Sequence, residues 1–180
     1  MTTVKPSSHS NIIPKDLLII NEIIFNKSGF DLSELIPEKE SAEYGAFNFK
    51  LNQLSIKYRI AKTTPTKSGQ FVTLWKRSVQ GPIQPFDVSD EIDLFIISTR
   101  NESHFGQFIF PKSILHKKGV ISDDSKEGKR AIRVYPPWDK PTSKQAKKTQ
   151  EWQSDYFLET PENGEIDFKR VEKLLKENPL

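Results

Sequence analysis

The 180-residue chain has no cysteine. This excludes disulfides, cysteine zinc ligands and a cysteine nucleophile, and it fits a reducing compartment. Histidine is scarce, and His9, His104 and His116 lack metal-ligand spacing. The eight glycines supply neither a dinucleotide fingerprint nor a phosphate-binding loop, and no serine lies in a nucleophile elbow. Long apolar runs are missing as well. Near the N-terminus the longest covers only residues 17–20, against the roughly 20 residues that cross a bilayer, and no basic-then-apolar leader precedes it. The expectation is a soluble, cytoplasmic protein with no membrane association and no small-molecule cofactor.

What is present suits one domain spanning 1–180 with a substantial core. The hydrophobic share is 35%, but twelve phenylalanines and three tryptophans add bulk. Net charge is only +3, and it is unevenly placed. Residues 57–77 carry six basic groups and no acid, and residues 112–148 carry eleven basic groups against four acids. Acidic stretches flank both. Two such blocks brought together make a one-sided field suited to a polyanion.

Residues 1–11 are polar and expected to be disordered. Residues 14–26 read as a helix, with Ser10 or Asn11 near the cap and Leu17, Ile20 and Ile24 on one face. Residues 30–43 read as an acidic connector broken at Pro37. Residues 44–51 and 54–62 form a hairpin closed by Asn52-Gln53. In it Phe47, Phe49, Leu51, Tyr58 and Ile60 point inward, and Lys57, Arg59 and Ala61 outward. A turn-rich loop, T-T-P-T-K-S-G, leads into a strand at 70–77, followed by an acidic loop over 78–91. The nearly all-apolar run 92–99 fits a buried strand returning through 105–110. A short helix closing on Gly119, a strand at 130–135, and helices at 143–158 and 167–178 complete the reading. The fold class is α+β: about six strands in a mostly antiparallel sheet or open barrel, with helices at both termini.

The chain centres on residues 128–140, G-K-R-A-I-R-V-Y-P-P-W-D-K. Alternation places Arg130, Ile132 and Val134 on one side of the strand, and Lys129, Ala131, Arg133 and Tyr135 on the other. On this parity Arg133 meets a partner and Arg130 supports the fold. Pro136-Pro137 ends any ladder, since proline has no N–H to donate. Trp138 then either plugs the end of a barrel or sandwich or joins a cationic, aromatic surface for a polyanion. Cations fix a phosphate backbone, while hydrogen-bonding side chains read base edges. The candidate binding residues are Lys62, Lys67, Gln70, Lys76, Arg77, Arg100, His104, Lys129, Arg133, Trp138 and Lys140. No catalytic residue and no metal ligand is assigned. The partner expected is nucleic acid, DNA in preference to RNA. The alternative is a divalent-metal-dependent nuclease, with Asp90, Glu91, Asp93 and Glu127 as the carboxylates and Lys129 beside them. A third class is a protein-interaction module using the acidic helices.

Several segments also resemble a known family. These are E-Y-G at 43–45, K-T-T-P-T-K-S-G-Q-F-V at 62–72, G-P-I at 81–83, H-F-G-Q-F-I-F-P-K at 104–112, and K-E-G-K-R-A-I-R-V-Y-P-P-W-D-K-P-T-S-K-Q-A from residue 126. Together they resemble the MepB-like family of small bacterial proteins over about residues 40–156. The resemblance implies nucleic-acid binding. It also implies a fold like the pseudobarrel of restriction-enzyme effector domains and plant transcription-factor DNA-binding domains, in which two loop-and-strand arms grip the major groove. Residues 62–70 and 100–104 are the matching arms. The tails 1–39 and 157–180 lie outside the resemblance.

Overall fold

A computed structural model describes residues 12–161 and 163–176. The expected disorder of residues 1–11, and a cap at Ser10 or Asn11, lie outside the described residues. The first helix, α1 (Lys15–Ile20), continues through a wider turn over Asn21–Phe25 and a tighter one over Asn26–Ser28. It ends at Gly29, whose φ of 77° is left-handed.

The strands are β1 (Leu32–Pro37), β2 (Phe47–Leu51), β3 (Leu54–Ile60), β4 (Lys62–Thr63), β5 (Gln70–Thr73), β6 (Trp75–Arg77), β7 (Ile83–Pro85), β8 (Leu94–Arg100), β9 (Phe105–Pro111), β10 (Ala131–Val134) and β11 (Phe157–Glu159). The helices α2 (Lys112–Lys117), α3 (Lys144–Ser154) and α4 (Phe168–Lys176) complete the described chain. The main sheet has the order β1-β2-β3-β8-β9-β11, with β10-β5-β4 and β6-β7 as smaller sheets. Among the described strands β3 and β8 pair in parallel and the other strand pairs are antiparallel. The molecule is α+β, and the sheet is open rather than a closed barrel. Among the described residues no helix is long and apolar enough to cross a membrane.

The main sheet has a core on each face, which is why β8 is buried along nearly its whole length. Leu94 and Ile96 pack with Leu17, Ile20 and Ile24 from the N-terminal helix and Val171 and Leu175 from α4. Phe95 and Ile97 pack on the other side with Val72, Phe86, Phe110, Leu115 and Val134. The second core joins the small sheets to the large one.

The hairpin at Asn52-Gln53, the β8–β9 hairpin, the short helix before Gly119 and the Ser143 cap all form where the sequence places them. Five features differ. The acidic connector 30–43 contains β1, an edge strand interrupted by Glu34 at φ 52°. Its alternation is broken there, because the register with β2 shifts between Ser33 and Ile36. The loop 78–91 contains β7, paired with β6, and the single strand expected at 70–77 divides into β5 and β6 at Leu74. The helix expected over 143–158 stops at Ser154, and Phe157–Glu159 instead pairs with β9. Arg59 is 1% exposed rather than outward in solvent, because the face it shares with Ala61 is covered by the small sheet. Its guanidinium binds Glu38 and donates to the carbonyls of Tyr58 at 2.9 Å and Thr73 at 3.3 Å. Burial lowers its pKa, and the Glu38 carboxylate opposes that shift.

Candidate functional site

Three separate stretches meet at one end of the small sheet. Gln70 is buried, and its amide donates to the Arg100 carbonyl at 3.0 Å. This bond ties the 62–70 arm to the 100–104 arm and turns Gln70 inward. Gly69 has φ of 77°, and a Cβ there would lie 2.7 Å from the Tyr135 ring. Only glycine fits so close a crossing in that conformation. Its N–H bonds the Asp139 carboxylate, whose pKa burial raises and this bond lowers in part. Arg133 completes the junction, donating to Thr64 Oγ1 at 2.8 Å and to the Ser68 carbonyl at 3.2 Å.

The two aromatic members stack on each other. His104 lies over Trp138 with ring centroids 5.0 Å apart and planes 9° apart, and Trp138 meets Phe157 edge-on at 5.6 Å. Trp138 is half-buried, so it closes the sheet end while keeping a partly open edge. Arg100 pairs with Asp16 at 2.9 Å and covers the Phe105 ring at 4.1 Å. Lys62 is exposed with its ammonium 4.6 Å from the Tyr44 ring centre. Lys67 and Lys140 are exposed at the rim.

The parity expected for β10 holds for its apolar members: Val134 is buried and Ile132 packs on the same core. The cations on it are placed differently from the roles expected of them. Arg133 is half-buried and holds the 64–68 loop, whereas Arg130 is exposed and pairs with Glu127 at 2.7 Å.

The two basic blocks diverge in the fold. In residues 57–77, Lys57 and Arg59 share Glu38, Lys76 meets Asp90 at 2.6 Å, and Arg77 meets Glu40 at 2.8 Å. Lys76 and Arg77 lie on the β6–β7 ribbon, outside the junction. In residues 112–148 the lysines are exposed except Lys112, which donates to the Val88 and Asp90 carbonyls. A groove of about 460 Å³ runs between β10 and α3, lined among others by Lys118, Lys129, Arg133, Tyr135, Thr149 and Trp152. Lys144 and Lys148 border its continuation along α3. No carboxylate lines either part. Among the described residues Lys118, Lys129, Lys144 and Lys148 have no ion pair, and Lys118 lies 5.3 Å from the Trp152 ring centre. Arg133 and Tyr135 belong both to this groove and to the arm junction, so the surface is continuous.

Lys118, Lys144, Lys148 and Trp152 were not singled out from sequence. The signal was present: Lys144, Lys148 and Trp152 recur every four residues and share a helix face. The carboxylates considered for a nuclease do not assemble. Asp90 serves Lys76 and the Asp87 N–H, Asp93 accepts the Ser55 N–H, and Glu127 pairs with Arg130. No three histidine, aspartate or glutamate side chains gather to hold a metal among the described residues. His116 and Asp123 do form a pair at 2.6 Å, which together with turn hydrogen bonds holds the Asp123 carboxyl well below its usual range.

A family model described as MepB-like matches residues 38–159. A solved structure described as the crystal structure of MepB is 34% identical, with a TM-score of 0.73. The match covers 84% of this chain and 99% of that one. No curated protein matches the chain.

Proposed function

This chain belongs to the MepB-like family, and from the geometry above we propose that it is a nucleic-acid-binding module, with DNA the preferred partner. The observation that carries the reading is the acid-free groove with its unpaired lysines, continuous with the joined arms. In a protein of net charge +3, same-sign lysines are normally interspersed with acids. Here Glu38, Glu40 and Asp90 pair with the opposite block, Asp123 and Glu127 are held by His116 and Arg130, and no carboxylate lines the channel that the lysines face. Spaced cations meet successive phosphates, and Tyr135 and Trp152 supply aromatic surface among them. Lys62 and Lys67 on one arm and Lys140 beyond Trp138 extend the same surface. Gln70 and Arg133 act through the arms they hold rather than by touching the ligand.

The test is a titration of labelled duplex and labelled single strand by fluorescence anisotropy at several salt concentrations. Binding is expected to weaken steeply as salt rises, because each neutralised phosphate releases counterions. No binding of either probe at low salt would remove the reading.

A further inference from the structure

The edge of β10 that faces α3 is closed at both ends and open between them. Leu74 N–H donates to the Arg130 carbonyl at 2.9 Å, and Ile132 and Val134 lie opposite Val72 and Gln70. In an antiparallel pair the backbone groups alternate sides, so Arg130, Ile132 and Val134 turn theirs to β5. Ala131, Arg133 and Tyr135 turn theirs to the groove. Gln153, 1% exposed, closes one end like a strand neighbour: it accepts from Tyr135 N–H at 2.8 Å and donates to the Arg133 carbonyl at 3.0 Å. The Val120 carbonyl closes the other, accepting from Lys129 N–H at 2.9 Å. Between them the Ala131 N–H and C=O and the Arg133 N–H have no hydrogen-bond partner among the described residues. Sheet edges are ordinarily paired or covered.

We propose that this window receives one unpaired nucleobase of the bound strand, a proposal that rests on the nucleic-acid reading above. The Ala131 carbonyl followed by the Arg133 N–H offers an acceptor beside a donor. Adenine, with N6–H beside N1, and cytosine, with N4–H beside N3, present the complementary pair on their Watson–Crick edges. In a duplex that edge is already occupied, so the window selects a single strand or an unpaired base. The groove volume lies within the range of small-ligand sites. Trp152, packed against Phe110 and Tyr156, also lines the groove with the Lys118 ammonium 5.3 Å from its ring centre, and Lys129, Lys144 and Lys148 lie where the flanking phosphates would run. An acidic peptide adding a strand would use the same backbone groups. The window spans only Ala131 to Arg133 before Val120 and Gln153 intervene, too short for a strand that pairs over several residues.

The test uses the full-length protein. Adenosine 5′-monophosphate, inorganic phosphate and an acidic peptide are titrated separately while amide resonances are followed by NMR. The nucleotide is expected to shift the Ala131 and Arg133 amides, and the other two probes are not. By anisotropy, an oligonucleotide should bind at least about tenfold more tightly as a single strand than as its duplex. Thr149→Phe fills the groove without removing a cation, since the Thr149 hydroxyl bonds only the Gln145 carbonyl of its own helix. That variant should abolish the preference, bringing the single-strand and duplex affinities together; if it melts early, Ala146→Leu on the same helix serves instead. Duplex binding with no nucleotide-specific shift, equal affinities for the two probes, or shifts caused by phosphate or peptide would overturn the proposal and leave the broader reading standing. Failure of every nucleic-acid probe at low salt would instead remove the broader reading.

Discussion

In residues 57–77 four of the six cations meet carboxylates, and in residues 112–148 most lysines meet none. The neutralising acids, Glu38, Glu40 and Asp90, come from stretches that look like ordinary acidic loops in the sequence. Their positions follow from β1 and the 38–41 turn lying beside the main sheet, and from β7 returning against β6. Three of the four acids of the second block are occupied locally: Asp123 by His116, Glu127 by Arg130 and Asp139 by Gly69. A charge run therefore measures the potential for a surface field. Whether a field results depends on which acids the topology delivers to it.

The comparison would break most sharply at Glu38. Glu38→Gln leaves Arg59 buried without its counter-charge, which should lower stability by about 3 kcal/mol. Denaturant unfolding measures this, and nucleic-acid affinity of the folded fraction should be unchanged. The next effect is the converse. Replacing Lys129, Lys144 and Lys148 together by glutamine should scarcely move the melting temperature. For duplex it should lower the slope of log affinity against log salt by about 0.9 for each lysine that meets a phosphate. Loss of stability without loss of affinity there would show that the second block is structural. The smallest effect is expected at Arg77, whose pair with Glu40 is exposed on both sides. Arg77→Gln should change stability by no more than about 0.5 kcal/mol and leave binding unaltered. A large fall in affinity from that variant would return the first block to the interface.

Much of the local structure was legible from pattern. Phe47, Phe49 and Leu51 alternate, the 92–99 run is apolar on both faces, Gly119 stops a helix and Ser143 starts one. Periodicity and capping are properties of a few adjacent residues, so they survive without knowledge of the fold. The strands that escaped notice, β1, β7 and β11, are short or lie at edges where only one side is packed, and there the apolar signal is weak. The family resemblance implies that residues 62–70 and 100–104 are two arms, without implying that they touch. The bond that joins them, from Gln70 to the Arg100 carbonyl, was not legible.

The sequence by itself determined the element types over most of the core, the unequal distribution of charge and the absence of cysteine chemistry. It also determined membership in the family, whose model matches residues 38–159. Only the tertiary structure decided that Arg59 is buried against Glu38, that Arg133 holds a loop while Arg130 reaches solvent, and that α3 covers the edge of β10 except between Val120 and Gln153. The reason is physical. Burial, ion pairing and the closing of a sheet edge each join groups far apart in the chain, and no window of neighbouring residues contains both partners.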